Sequence, residues 1–336
     1  PADAVDAAVG LVDHLAQGSI NSSQTRAMTM LLSRRPCPPA DRQPDRLPMR
    51  TATREVVVEE RRVLVTGRGL VEAPRWHEGR LYFSDWSAGE VLAVDAEGHT
   101  QVVARVDSLP LCSAWLPDGR LLIVSSADGL LLRREPDGSL VTHAELEGPG
   151  WNDVVVDGRG NAYVNSVGFD MMADEAARPG HVVLATADGR VRRVAEDLAF
   201  PNGMAVTADN ATLVVAESHG ERLTAFDVGG DGDLTGRRVF AELGDDPPDG
   251  ICVDAEGAVW YATVPGRRCV RVAEGGRVLQ AVQLDRGGFA CALGGPDRRT
   301  LFVTAAEWRP DLPELVPAGS GQVQAMRVTV PGAGWP

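Results

Sequence analysis

The sequence predicts an all-β protein, a six-bladed β-propeller with a short N-terminal extension. Three observations predict it. Six segments repeat one pattern of approach turn, apolar run, Gly- or Asp-containing turn and further apolar runs. They recur about every 40–50 residues, the period of a four-stranded propeller blade. The composition agrees: 37 Gly in 336 residues and only 5% aromatic residues suit short strands joined by tight turns.

Residues 1–48 stand apart. "DAVDAAVGLVDHLAQ" places Val5, Val9, Val12, Leu11 and Leu15 near helical spacing, which predicts one short amphipathic helix. "NSSQTRAMTMLLSRRPCPPADRQPDRLP" is rich in Ser, Arg and Pro and reads as a linker or disordered arm. Residues 49–336 form the propeller, with Met49 opening the compact part. "REVVVEERRVLV" (54–65) and "GQVQAMRVTV" (321–330) are the expected partners in a shared blade that closes the ring.

The six segments begin "LVEAPRWHEG", "LCSAWLPDG", "GWNDVVVDGRG", "FPNGMAVTADN", "PPDGICVDAEG" and "FACALGGPDRR". They align on the turn between the first two strands, at Gly79, Gly119, Gly160, Asn210, Gly257 and Arg298. In blade 3 the extra residues "FDMMADEAARPG" (169–180) form a long loop, and "DVGGDGDLTG" (227–236) in blade 4 is a hairpin turn.

In a propeller the first strand of each blade lines the channel, so equivalent positions at the starts of those strands form a ring about the axis. Counting back from the aligned turns, the ring is Glu72, Leu111, Asn152, Asn202, Asp249 and Ala290, with Cys112 or Phe289 as one-residue alternatives in blades 2 and 6. Any one of these polar residues alone reads as a turn former, because Asn-Gly and Asp-Gly are turn dipeptides. Four oxygen-bearing side chains at one repeat position read differently. Two carboxylates and two amides make a hard, all-oxygen set of charge −2, suited to Ca²⁺ or Mg²⁺. The absence of Cys and His from the ring argues against a dedicated Zn²⁺ site, although Mn²⁺ and Zn²⁺ stay among the divalent cations to be tried.

Composition excludes other classes. A net charge of −14 opposes binding to nucleic acid or an anionic membrane surface. No apolar run is long enough to span a bilayer, and the opening residues lack the pattern of a signal peptide. The five cysteines, Cys37, Cys112, Cys252, Cys269 and Cys291, form no C-x-x-C pair, which predicts reduced thiols and a cytoplasmic protein. No G-x-S-x-G, H-E-x-x-H or phosphate-binding loop motif occurs.

"VEAPRW", "WNDVVVD", "FPNGMAVTADNATLVVAES" and "PDGICVDAEGAVW" together resemble the senescence marker protein (regucalcin)/gluconolactonase/luciferin-regenerating enzyme family, over about residues 60–310. The resemblance implies a six-bladed propeller with a divalent ion, usually calcium, held by Glu72, Asn152, Asn202 and Asp249. It also implies that Asp249 is the nucleophile or general base, and that the partner is a small-molecule lactone or ester. The alternatives are an organophosphate triesterase-like hydrolase and a non-hydrolytic ligand-binding or condensing propeller. Sugar-lactone members often carry an Arg two residues before the blade 3 Asn. Here that position is Gly150, which points toward a less hydroxylated substrate. Trp151, Asn165, Met171 and His219 are the expected substrate-binding residues, with Phe169, Met172, Ser166, Glu217 and Ser218 nearby.

If residues 1–48 are outside the propeller, deleting them should leave a soluble core with an unchanged cooperative melt by circular dichroism. An insoluble product would show that the arm completes the fold.

Overall fold

The computed structural model describes residues 61–170, 175–309 and 316–333. The N-terminal arm and Met171 therefore lie outside the described residues. Among those described, regular structure consists of strands grouped in six four-stranded antiparallel sheets.

The first strand, β1 (Arg62–Arg68), belongs to the last blade. Blade 1 holds β2 (Val71–His77), β3 (Arg80–Asp85), β4 (Glu90–Val94) and β5 (Thr100–Arg105). Blade 2 holds β6 (Leu111–Trp115), β7 (Leu121–Ser125), β8 (Leu130–Arg134) and β9 (Leu140–Glu145). Blade 3 holds β10 (Trp151–Val156), β11 (Ala162–Ser166), β12 (Gly180–Ala185) and β13 (Val191–Leu198). Blade 4 holds β14 (Pro201–Val206), β15 (Thr212–Glu217), β16 (Arg222–Val228) and β17 (Leu234–Glu242). Blade 5 holds β18 (Ile251–Val253), β19 (Val259–Thr263), β20 (Arg268–Val272) and β21 (Val278–Gln283). Blade 6 holds β22 (Gly287–Gly294), β23 (Thr300–Ala306) and β24 (Gly321–Arg327), with β1 as its outer strand. Pairing β1 with β24 joins the two ends of the chain and closes the ring. The inner strand of each blade remains a short edge, protected because it faces the channel and its neighbouring blades, which answers the edge-strand hazard of open sheets.

The repeat alignment has a conformational basis. All six aligned turn residues take a left-handed backbone, with φ from 57° at Asn210 and Arg298 to 85° at Gly160. Gly adopts this at no steric cost and Asn at little. At two of these turns a single Asp accepts from two loop amides. Asp157 accepts from the Arg159 and Asn161 amides, and Asp254 does the same for Glu256 and Ala258. Second strands are largely buried, throughout in "LLIVS" of β7 and "VWYAT" of β19, and their apolar residues fill the layers between blades.

The inner strands β2, β6, β10, β14, β18 and β22 contact one another in order around the axis. Their closeness explains two glycines. A Cβ on Gly203 would meet the Gly250 Cα at 2.6 Å, and one on Gly250 would collide with Ala290. Neither has a positive φ. The Asn202-Gly203 and Asp249-Gly250 pairs are therefore sites of close backbone approach between blades 4, 5 and 6, and the turn-dipeptide reading does not hold for them. Gly250→Ala should destabilise the protein by about 1–3 kcal/mol or more, the usual range for overpacking. Urea unfolding measures this, and an unchanged midpoint would refute the packing argument.

Candidate active site

Strand register resolves the ring. In β2, β6, β10 and β14 the residues Val71, Leu111, Trp151 and Pro201 each pair with the last residue of the second strand. The next residues, Glu72, Cys112, Asn152 and Asn202, are thus equivalent. Blade 2 contributes Cys112, one position beyond the first choice of Leu111, and Ala290 holds its place in blade 6. A cavity of about 10 Å³ is lined by Glu72, Cys112, Asn152, Asn202 and Ala290, together with Ala73, Arg75, Trp86, Asp153, Gly203, Gly250 and Ile251. That is room for one water-sized body.

Bulges aim the polar positions. An extra residue enters the inner strand between Glu72 and Arg75, between Trp151 and Val154, and between Pro201 and Met204. Blade 2 pairs without a bulge and offers only a thiol. Bulges bend a strand and redirect its side chains, which is how Asn152 and Asn202 come to face the axis. Asp249 sits just before the short strand β18, held by its own amide to the Ala262 carbonyl at 2.9 Å and by the Gly250 amide to Phe289 at 2.8 Å.

The four predicted ligands are all buried: Glu72 8%, Asn152 2%, Asn202 8% and Asp249 6% exposed. Asn152 Nδ2 donates to Asn202 Oδ1 at 3.2 Å, and Asn202 Nδ2 donates to Ser218 Oγ at 3.3 Å. Ser218 in turn donates to the Pro248 carbonyl at 2.7 Å, tying the amide pair to the segment that carries Asp249. Glu72 accepts from the Ala73 amide at 2.9 Å.

Electrostatics couples the set. Burial, with the nearby Asp153 adding to it, pushes Glu72 up to about 8; the Ala73 amide and Arg75 oppose the shift. Burial pushes Asp249 well above the carboxylate range, and the charge of Glu72 is the next cause. An Asn202 hydrogen bond favours its ionised form. The same three carboxylates act on the buried Cys112 thiol, after burial itself. Residues from blades 1, 3 and 5 thus feel one another across the axis.

Beneath the ring lies a pair that sequence reasoning missed. Arg75 donates to Asp153 Oδ1 at 2.8 Å and to the Val154 carbonyl at 2.9 Å, while Asp153 Oδ2 accepts from the Met204 amide at 3.0 Å. Asn152-Asp153 was open to a turn reading, yet both residues lie in β10. The available signal was Arg75 itself, a cation set among the apolar residues of "VEAPRW". Among the described residues, no three His, Cys, Asp or Glu side chains form a metal-holding group. Glu72, Asn152, Asn202 and Asp249 are the residues that could hold a cation here, two of them through amide oxygens.

The expected substrate residues fare differently. Trp151 has no exposed surface; its indole donates to the Gly148 carbonyl at 2.7 Å and packs edge-on to His181. It is a core residue, because the side chain preceding the ring position turns into the blade interface. Asn165 is also fully buried. It donates to the Asn202 carbonyl at 2.5 Å and accepts from the Asp153 amide at 3.0 Å, so its amide is spent on fixing the two bulged strands. His219 is half-buried and lies on Phe200, with ring centroids 4.5 Å apart, in the turn after β15. Glu217 is buried; Arg222, the Ala199 amide and Thr224 overcome its burial and hold it below the usual carboxylate range.

A cleft of about 1040 Å³ opens on the same face over blades 1–3. Trp86, Val106, Leu109, Pro110, Leu146 and Pro149 give it apolar walls, and Trp86 also lines the ring cavity. Gly150 borders the cleft with φ 77°, and a Cβ there would collide with the Phe169 carbonyl.

The SMP-30/Gluconolactonase/LRE-like region matches residues 70–307. The chain belongs to this family. It is 28% identical to 6-deoxy-6-sulfogluconolactonase of Pseudomonas putida, over 80% of this chain and 94% of that protein. It is 29% identical to pentonolactonase XacC of Haloferax volcanii, over 73% and 84% of the two chains. The crystal structure of regucalcin from Agrobacterium tumefaciens, described as a calcium-binding protein, matches with a TM-score of 0.69 and 26% identity, over 82% and 95%. The six-bladed fold is therefore shared across the family. No helix among the described residues is long and apolar enough to cross a membrane.

The raised Glu72 fixes a sign for stability. Between 4.5 and about 8 the folded protein holds a proton that the unfolded chain has released. Without divalent cations, stability should be fullest below the lower value and fall as pH rises through the upper. Glu72→Gln should flatten that slope in differential scanning calorimetry. A profile unchanged by Glu72→Gln would show that this carboxylate is not desolvated as described.

Proposed function

We propose that the protein hydrolyses a lactone at a divalent cation held by Glu72, Asn152, Asn202 and Asp249. One observation carries the reading: two buried carboxylates on different blades are both pushed toward their neutral form, with the charge of Glu72 adding to the burial of Asp249, and Glu72, Asn152 and Asn202 line a cavity sized for one small body. A divalent cation removes that conflict, and the two amides complete a hard oxygen set. Ca²⁺ is the favoured occupant, given the description of the regucalcin relative. The relatives named as lactonases support the reaction class. When bound, the cation supplies Lewis-acid polarisation of a carbonyl and acidification of water.

The chain's own residues do the rest. The cleft above Trp86 receives the ring against the apolar side chains of Val106, Leu109, Pro110, Leu146 and Pro149. Asp249 either accepts the proton of an attacking water or attacks the carbonyl itself, and its Asn202 hydrogen bond keeps it oriented for both. The Arg75–Asp153 pair, locked to β10 and β14, holds the bulged strands in register beneath the reacting group. Gly150 places no guanidinium at that position for sugar hydroxyls, and the positive φ and the Phe169 carbonyl stand against placing one there; Arg105, which also lines the cleft, is paired with Glu90 at 2.8 Å. Lactones with few hydroxyls are the favoured substrates.

A panel of alkyl and sugar lactones with an organophosphate triester, each assayed with Ca²⁺, Mg²⁺, Mn²⁺ and Zn²⁺, tests the reading. Lactone turnover should disappear with a chelator and return with one cation. Asp249→Asn should lower kcat by about 10²–10⁴-fold, the scale of general acid–base catalysis, with an unchanged fold. Turnover of the triester alone would redirect the assignment to phosphorus chemistry. No turnover with any cation would leave a ligand-binding or condensing propeller in its place.

A further inference from the structure

The channel has a second chamber. Below Arg75, toward the opposite mouth, a cavity of about 290 Å³ is lined by residues from all six inner strands. Among them are Cys252 of β18 and Cys291 of β22, whose sulfurs lie 3.7 Å apart. The two cysteines are on neighbouring blades and 39 residues apart in the chain. All four described cysteines are free thiols.

The two thiols are not equivalent. Cys252 is half-buried and keeps surface toward the chamber. Cys291 is 1% exposed and is turned toward blade 5, near the carbonyls of Trp260 at 3.4 Å and Gly250 at 3.6 Å. One sulfur is reachable by a small solute, and the second waits behind it. A disulfide has an S–S length of about 2.05 Å, so closing the pair needs about 1.6 Å of approach shared between two side chains. The strands are already joined one turn away by the Gly250 amide to the Phe289 carbonyl at 2.8 Å.

We propose that Cys252 and Cys291 form a peroxide-responsive dithiol in the rear chamber, closing reversibly to a disulfide that ties blade 5 to blade 6. The oxidant is hydrogen peroxide. Cys252 sulfur attacks the terminal peroxide oxygen; the O–O bond breaks, one water leaves and Cys252 becomes a sulfenic acid. Cys291 sulfur then attacks the Cys252 sulfur and expels the hydroxyl, which takes the Cys291 proton and leaves as a second water. Two thiols are oxidised by two electrons, and one hydrogen peroxide is reduced to two waters. A dithiol reductant reverses the bond. Burial pushes both thiols up, so the reacting thiolate is scarce at neutral pH and the oxidation should be slow there and faster as pH rises. The site is separate from the ring of the proposed function, and its test requires no substrate.

The test treats the full chain with hydrogen peroxide, blocks free thiols by alkylation and maps peptides by mass spectrometry. The expected product is a Cys252–Cys291 linked peptide, lighter by two hydrogens, that disappears on reduction, while Cys112 stays alkylatable after unfolding. The oxidised protein should also melt at a higher temperature, because the cross-link restricts the unfolded chain. In Cys291→Ala the same dose should leave Cys252 as a sulfenic acid trapped by dimedone, with little labelling of Cys252 in the unsubstituted protein. Absence of the linked peptide, or equal dimedone labelling of Cys252 in both proteins, would overturn the proposal. Should the variant fail to fold, the peptide map of the unsubstituted protein decides alone.

Discussion

Six strands can meet around one axis only if nothing bulky stands where their backbones touch. Gly203 and Gly250 meet that condition between blades 4 and 5, and Gly250 with Ala290 meets it between blades 5 and 6. The carbonyls and amides of these segments then bond directly across blades, as Gly203 does to Asp249 and Gly250 to Phe289. The side chains beside the glycines, Asn202 and Asp249, are consequently held at the axis with little freedom. Site geometry and propeller closure are one constraint, and a methyl group at either glycine disturbs both.

That closeness has an electrostatic consequence. Glu72, Asp153 and Asp249 occupy the same desolvated end of the channel, where unpaired carboxylates are costly. Arg75 satisfies Asp153 through a direct bond within the channel. Among the described residues Glu72 and Asp249 have no such partner, and burial drives both toward the protonated state. A protein whose only task was to fold would gain by placing apolar residues at these positions, as blade 6 does with Ala290. Retaining two acids that are both driven toward the neutral form fits the cation site proposed above.

The repeat made most of this legible. Blade count, ring closure and the four oxygen-bearing positions follow from the spacing of turns whose left-handed backbone selects Gly or Asn. Arg298 shows that the signal survives even where the residue type does not advertise it. The finer placement was hidden by bulges, which insert a residue without changing the apolar pattern. Counting residues back from a turn assumes regular pairing, and so the choice between Leu111 and Cys112 required the strand register. Trp151 and Asn165 illustrate a second limit. Neighbouring residues on a strand point to opposite faces, so adjacency to Asn152 in sequence sends Trp151 away from the axis. Asn165 is near the ring in space but spends its polar atoms on backbone. The Arg75–Asp153 bond joins residues 78 apart, and no local pattern announces such a pair.

Arg75 also divides the channel. It borders the ring cavity on one side and the rear chamber on the other, and its bonds to Asp153, Val154 and Pro74 hold the partition across the axis. A solute entering at the rear mouth meets the Cys252 sulfur without passing the carboxylates, and a ligand in the cleft over blades 1–3 meets the ring without passing the thiols. The two chemistries therefore have separate entrances but a shared mechanical element. Asp249 and Cys252 are three positions apart on the segment that forms β18, and Gly250 binds that segment to β22 between them. A bond between Cys252 and Cys291 would restrain the far end of a strand whose near end carries the acid at the axis. Whatever stiffens β18 against β22 acts on Asp249 through backbone alone, with no need for a ligand to cross the partition.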